Sequence, residues 1–310
     1  MKKLISIVIA AYNEQDNVDE LAKRLQAVFA VNTDYDFEAI IVENGSLDDT
    51  YEKLLAVHNQ DIRFKILQLA RNFRMDGGIT AGLNSAKGDA AVIMTADLQD
   101  PPELITDFIK KWEEGYENIY GIVTKRNGTG LIRRLNSQLF YKMANVLTGG
   151  KIPSNVSDFR LIDRKVYQAI NSIHERNRFI RGLFAWVGFQ SIGIEHERAE
   201  RFAGTSGAHT FKVIDLALKG IFAHSYIPLR LITIIGIVVS ISSFILLVWT
   251  LIKAVIWGVP FAGYAMIMSV MLLMFGILFT MLGVVSEYVG LIYEEVKQRP
   301  NFIVKNKIGL

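Results

Sequence analysis

Between Leu231 and Ser286 the chain carries one charged residue, Lys253. It separates two blocks, Leu231 to Ile252 and Ala254 to Ser286, that contain no Asp, Glu, Lys or Arg. Each block exceeds the roughly 20 residues needed to cross a hydrocarbon core, and neither shows the polar face of a helix at the surface of a soluble domain. Two membrane spans are therefore expected within residues 227–290, with Gly258 and Pro260 in the turn between them. Arg230 precedes the first span, and Lys297, Arg299, Lys305 and Lys307 follow the second, so basic flanks lie outside the pair. That bias predicts a multi-pass protein with the large N-terminal region and the tail, residues 291–310, both in the cytoplasm. Residues 209–226 place Phe211, Ile214, Leu218, Ile221 and Phe222 at helical spacing, which predicts a juxtamembrane amphipathic helix. Small residues Gly263, Ala265 and Ser269 offer a helix contact for a homo-oligomer.

Almost all remaining charge lies in the first 225 residues, and the net charge of the whole chain is only +3, which gives no support to a nucleic-acid partner. Cysteine is absent, which excludes disulfides, a thiolate nucleophile and thiolate metal ligands. The N-terminal run "LISIVIAAY" is short and leads into "NEQDN" without a small-residue cleavage site, so it reads as a buried strand. Beyond it, strand-like and helix-like stretches alternate: helix from Val18 to Val31, strand "DFEAIIVE", helix "TYEKLLAVH", strand "FKILQL", helix "GGITAGLNSA", strand "AAVIMTA", helix "PPELITDFIKKWEEG", strand "NIYGIV". Apolar runs of this length between helices predict an α/β domain with a mostly parallel sheet covered on both faces.

Ligands of such sheets bind at the carboxyl ends of the strands. Acids collect there: Glu14 after the first strand, Glu43 at the end of the second, Asp97 and Asp100 after "AAVIMTA". Helix capping is the ordinary alternative for single acids, as for Asp48 or Asp49 beside Thr50 and Asp100 before two prolines. Neither GxGxxG nor GxxxxGK[ST] occurs, which disfavours a dinucleotide fold and a P-loop. An acidic pocket suits instead a nucleotide whose diphosphate is bridged by Mg²⁺ or Mn²⁺, cations that need only one or two protein carboxylates.

The stretches "SIVIAAYNEQDNV", "IIVENGSLDDT", "LARNFRMDGGITAGLNSAKGD" and "TADLQDPPE" resemble the blocks of inverting family-2 glycosyltransferases of the GT-A fold. Adding "SDFRLIDR", "RFIRGLFAWVGF", a loop around Arg201 and two terminal spans, the chain is similar to bacterial polyprenyl-phosphate glycosyltransferases. These are relatives of the bactoprenol glucosyltransferases and of dolichyl-phosphate mannose synthase. The resemblance implies a GT-A catalytic domain over residues 1–208 at the cytoplasmic face of a bacterial inner membrane. Its reaction would move a sugar from a nucleotide diphosphate sugar to a polyprenyl phosphate lipid. Glucose from UDP-glucose is implied, with mannose or an aminosugar as alternatives and a non-catalytic membrane scaffold as a competing class. A processive polysaccharide synthase is disfavoured, since "QxxRW" is missing and two spans make no evident channel.

By the same resemblance, Tyr12, Glu14, Glu43, Asp49 and Asp97 bind the donor nucleotide, and Asp97 with Asp100 lies at the metal. Asp158 matches the catalytic base, although a phosphate monoester with a second pKa near ~6 hardly needs one at neutral pH. An orienting role and an ion pair with Arg160 or Arg164 stand beside it. Among the arginines suited to the acceptor phosphate are Arg126, Arg133, Arg134, Arg178 and Arg181; Arg198 and Arg201 are favoured, with Lys212. The chain departs from its relatives at Thr95 and Asn44, where they commonly carry Asp. Asp97 should therefore bear more of the metal's charge.

Overall fold

The computed structural model describes residues 2–126, 156–176, 178–199, 227–257 and 263–310. The chain divides into two units, residues 1–215 with 298–310, and residues 216–297. In the first, β1 (Lys3–Ala11), α1 (Val18–Val31), β2 (Tyr35–Glu43), α2 (Thr50–Gln60), β3 (Phe64–Leu69), α3 (Arg74–Ser85) and β4 (Ala90–Thr95) follow the expected alternation. Then come α4 (Ile105–Glu113), β5 (Asn118–Arg126), β6 (Val156–Asp163), α5 (Arg164–Ser172), α6 (Ile180–Trp186), β7 (Ser191–Arg198) and, much later, β8 (Val304–Ile308).

The eight strands form one sheet in the order β7-β5-β6-β4-β1-β2-β3-β8. Its centre, β4-β1-β2-β3, is parallel. Ile5, Ile7 and Ile9 of β1 join one core cluster with Leu21, Leu25 and Phe108 from the helices, while Val8 joins Ile79 and Leu83 of α3 in another. Strand alternation thus buries both faces, and each fully buried Ile or Leu contributes about 1.5–3 kcal/mol. The α3 contact is close because Gly82 lacks a side chain: a Cβ there would lie 2.3 Å from Val8 Cγ1.

The sheet is mixed rather than mostly parallel. "NIYGIV" is a strand as expected, but it does not follow β4 in the sheet; β6 inserts between them, antiparallel to both. β6 is the motif "VSDFRLID", read from sequence only for its chemistry. Alternation along it sends Phe159 and Leu161 to one cluster and Ile162 to the other, so neighbouring Ser157 and Asp158 project to opposite faces. At the far edge β8 pairs antiparallel with β3, Leu67 opposite Lys307 and Gln68 opposite Asn306. The expected tail thus contains an unforeseen strand.

The second unit holds α7 (Ile227–Trp257) and α8 (Tyr264–Lys297). Among the described residues one stretch, Leu273–Lys297, is long and apolar enough to cross a membrane, and Leu231–Leu246 is a shorter apolar stretch. Large apolar side chains on both helices are exposed, Phe244 and Phe279 by 66% and 67%, which is the surface a lipid phase would cover. The amphipathic helix expected over 209–226 lies outside the described residues.

Candidate active site

Strand register brings the expected acids to one edge. Ala11 of β1 stands opposite Glu43 of β2, and Ala10 opposite Thr95 of β4, so the loops after all three strands open at the same level. The first two loops are joined: Asn13 N donates to Ser46 Oγ at 3.1 Å, Leu47 N to Asn13 Oδ1 at 2.9 Å, and Glu14 N to Thr50 Oγ1 at 2.9 Å. Glu43, 1% exposed, accepts from Ser46 N. Asp48 accepts from Thr50 N and from Gln15 N, so the capping work falls to Asp48. Asp49 makes no side-chain cap hydrogen bond and is exposed, as is Tyr12. Gly45, at φ 71, turns the loop; a Cβ would lie 2.6 Å from the Arg71 carbonyl carbon.

Asn44 departs from the family pattern for a visible reason. Its Nδ2 donates to the Arg74 carbonyl and its Oδ1 accepts from Phe73 N, both at 2.9 Å. Arg74 has φ 62, a left-handed conformation. The Asn amide supplies both the donor and the acceptor that hold it, whereas an ionised aspartate only accepts.

After β4, Asp97 is 6% exposed, and its Oδ1 accepts from Thr95 Oγ1 at 2.7 Å and Gln99 N at 3.3 Å. Thr95 thus orients the carboxylate instead of adding a second one. Leu98 is buried with φ 56, a strained conformation for a branched residue of the kind that collects at functional loops. Asp100, 2% exposed, faces inward: it accepts from Ser157 Oγ at 2.8 Å, His196 Nε2 at 2.9 Å and Arg198 Nη2 at 3.2 Å. Burial opposes its ionisation, but these donors outweigh it and hold the carboxyl below its ordinary value. Arg198, expected at the acceptor phosphate, is therefore already engaged by Asp100. Among the described residues no group of three or more His, Cys, Asp or Glu is placed to hold a metal.

On the other face of β6, Asp158 pairs with neither Arg160 nor Arg164. Both its oxygens are taken by Nε and Nη2 of Arg181 on α6. Arg164 instead binds the carbonyls of Gly88 and Lys87. Arg160 lies 4.0 Å over the Phe184 ring, and burial pulls its pKa down to about 10 despite the nearby Asp158 charge. Arg178 is spent on the carbonyls of Ile170 and Ile173. Ser157 and His196, which hold Asp100, carry no distinctive signal in the sequence: a serine beside an acid and a lone His on a strand are common in any sheet. Arg201, Lys212, Arg133 and Arg134 lie outside the described residues.

Residues 6–170 match the family described as glycosyl transferase family 2. The chain is 40% identical to an uncharacterized glycosyltransferase of Synechocystis over 99% of this chain and 96% of that one. It is 36% identical to the bactoprenol glucosyl transferase of Shigella phage SfV over 98% of each chain. Glucosyl-3-phosphoglycerate synthase from Mycobacterium tuberculosis, solved with Mn²⁺, UDP-glucose and phosphoglyceric acid, is similar with a TM-score of 0.46 and 18% identity. That match covers 71% of this chain and 78% of the other.

Proposed function

The chain belongs to glycosyl transferase family 2, and on that premise we propose that it transfers a sugar from a UDP-sugar to polyprenyl phosphate at a membrane face, inverting the anomeric carbon. The supporting observation is the reach of the similarity to a bactoprenol glucosyl transferase. It spans 98% of both chains and so takes in the membrane segment as well as the sheet. Glucose is the sugar this favours. Incubating the full chain with polyprenyl phosphate and a panel of radiolabelled nucleotide sugars tests it. Label from UDP-glucose should enter the lipid extract. Label only from a mannose or aminosugar donor would reassign the sugar, and none from any donor would overturn the reading.

The donor side is assigned to the β1, β2 and β4 loops. Exposed Tyr12 and Asp49 reach the nucleotide, Glu14 and Glu43 shape the joined loops that hold it, and Asp97 meets the diphosphate. This donor set fits Mg²⁺ or Mn²⁺, which take one or two carboxylates and leave the remaining positions to water and substrate phosphate. Asp97 would hold the ion, with Asp100 bracing the loop through its own three donors. Bound there, a divalent cation would offset charge building on the leaving diphosphate.

Asp158 is assigned to orientation and charge rather than to proton removal. The acceptor phosphate is mostly dianionic at neutral pH, and a carboxylate whose two oxygens both grip Arg181 is poorly disposed to take a proton. Arg198, Arg201 and Lys212 are assigned to the acceptor phosphate on sequence alone, and Arg198 would have to share itself between that phosphate and Asp100.

Two spans with a cytoplasmic catalytic domain in a bacterial inner membrane complete the proposal, and homo-oligomer contacts would fall at Gly263, Ala265 and Ser269. The fold adds an argument to the basic flanks. Residues 298–310 pair into the same sheet as β1 to β4, which supports a return of residues 216–297 to the side where they began and an even number of crossings. Reporters fused near Lys3 and after Leu310 should both be cytoplasmic, and one near Gly258 should not. Termini on opposite sides would overturn this topology.

A further inference from the structure

We propose that Asp76 is a positioning residue for the Asp158–Arg181 pair, pinning the segment that presents Arg181 and leaving the three-group cluster with a net negative charge. This rests on the transfer reaction proposed above. Three elements that are distant in sequence carry the cluster: α3 supplies Asp76, β6 supplies Asp158 and α6 supplies Arg181. Asp76 Oδ1 accepts from the backbone N–H of Ile180 at 3.2 Å, and Ile180 immediately precedes Arg181. Arg178 Nη1 reaches Thr80 Oγ1 of α3 at 3.4 Å, while Thr80 Oγ1 donates to the Asp76 carbonyl at 2.7 Å, so the same segment is tied to α3 twice.

An acid in the first turn of a helix ordinarily faces water. Asp76 is half-buried and lies within electrostatic range of the Asp158 carboxylate. Burial pushes its carboxyl up to about 6 and the Asp158 charge adds to the rise, against the Ile180 N–H, Arg181 and Arg74. When Asp76 is protonated, Asp158 is neutralised by Arg181. With Asp76 ionised, two carboxylates share that guanidinium, and Asp158 keeps more negative potential for the electron-poor anomeric carbon. The ionised form is held at a cost to folding, as expected of a group kept for function and not for stability.

Asp76→Asn separates these roles, since the amide oxygen can still accept from Ile180 while the charge is gone. The acceptor phosphate titrates in the same range, so the informative quantity is the wild-type to variant ratio of kcat on one acceptor, in which that titration cancels. The ratio should be about tenfold near pH 7.5 and shrink to about threefold near pH 5.5, with donor KM nearly unchanged. Thermal unfolding gives a second readout that needs no substrate. A carboxyl with a raised folded pKa binds more protons folded than unfolded between the two pKa values, so wild-type stability falls as pH rises through that window. Asp76→Asn should therefore gain Tm relative to wild type as pH rises from about 4 to about 6 and keep that gain above it. A kcat ratio that is flat with pH, a ratio of one throughout, or a variant less stable at every pH would each overturn the proposal. A wild type that labels no lipid would count against the transfer reaction instead, and the unfolding series would still decide whether Asp76 charges inside the fold.

Discussion

Asp97→Asn should lower transfer by about 10²–10³-fold, the loss seen when one preorganised electrostatic contact to developing charge is removed. Donor binding should weaken in Mn²⁺ and stay close to wild type in chelator. The reason is that Thr95 leaves Asp97 as the only carboxylate of its pair, Asp100 is turned inward to its own donors, and among the described residues no group of three or more His, Cys, Asp or Glu is placed to hold the cation. The substitution keeps the fold testable: the Asn oxygen can still accept from the Thr95 hydroxyl and the Gln99 amide. Titrating a UDP-sugar against both proteins, with and without Mn²⁺, reads the effect directly. Equal weakening in chelator would give Asp97 a direct nucleotide contact and remove it from the metal.

The second large effect is expected at the other face of β6. Asp158→Asn should reduce kcat by about 10²-fold, the scale of a misplaced reacting geometry. Stability should also fall, by more than the ~0–1 kcal/mol of an exposed pair, because Arg181 is 40% exposed but Asp158 only 12%. Arg181→Lys should reproduce much of the loss, since an ammonium cannot grip both carboxylate oxygens in a fork. An orienting Asp158 predicts the same loss at about pH 7 and about pH 9, both above the acceptor's second pKa. A loss that shrinks as pH rises would return Asp158 to the role of base, and a silent Arg181→Lys would remove the bidentate pair from the mechanism.

The departures at Thr95 and Asn44 illustrate how far residue identity alone carries. Each looks from sequence like a missing acid. In the fold Thr95 is a hydroxyl donor that aims Asp97, and Asn44 is an amide clamp on the left-handed turn at Arg74. Asp100 is the converse case. Sequence places it with the metal, yet His196, Ser157 and Arg198 meet it from β6 and β7, elements dozens of residues away.

Local pattern determined the strands and helices from β1 to β5, because apolar runs and helical periodicity record which face of each segment must be buried, and that requirement is written in consecutive residues. Composition likewise left residues 231–286 with a single charge, Lys253, and the acids after β1, β2 and β4 were expected at one edge because parallel strands turn their carboxyl ends the same way. Only the tertiary structure decided that β6 enters the sheet antiparallel beside β4, that residues 304–308 close its far edge, and that Asp158 meets Arg181 while its neighbour Ser157 meets Asp100. Strand neighbours and ion-pair partners are chosen by which edges and charges remain unsatisfied once the rest of the chain has packed, a condition that no stretch of sequence contains by itself.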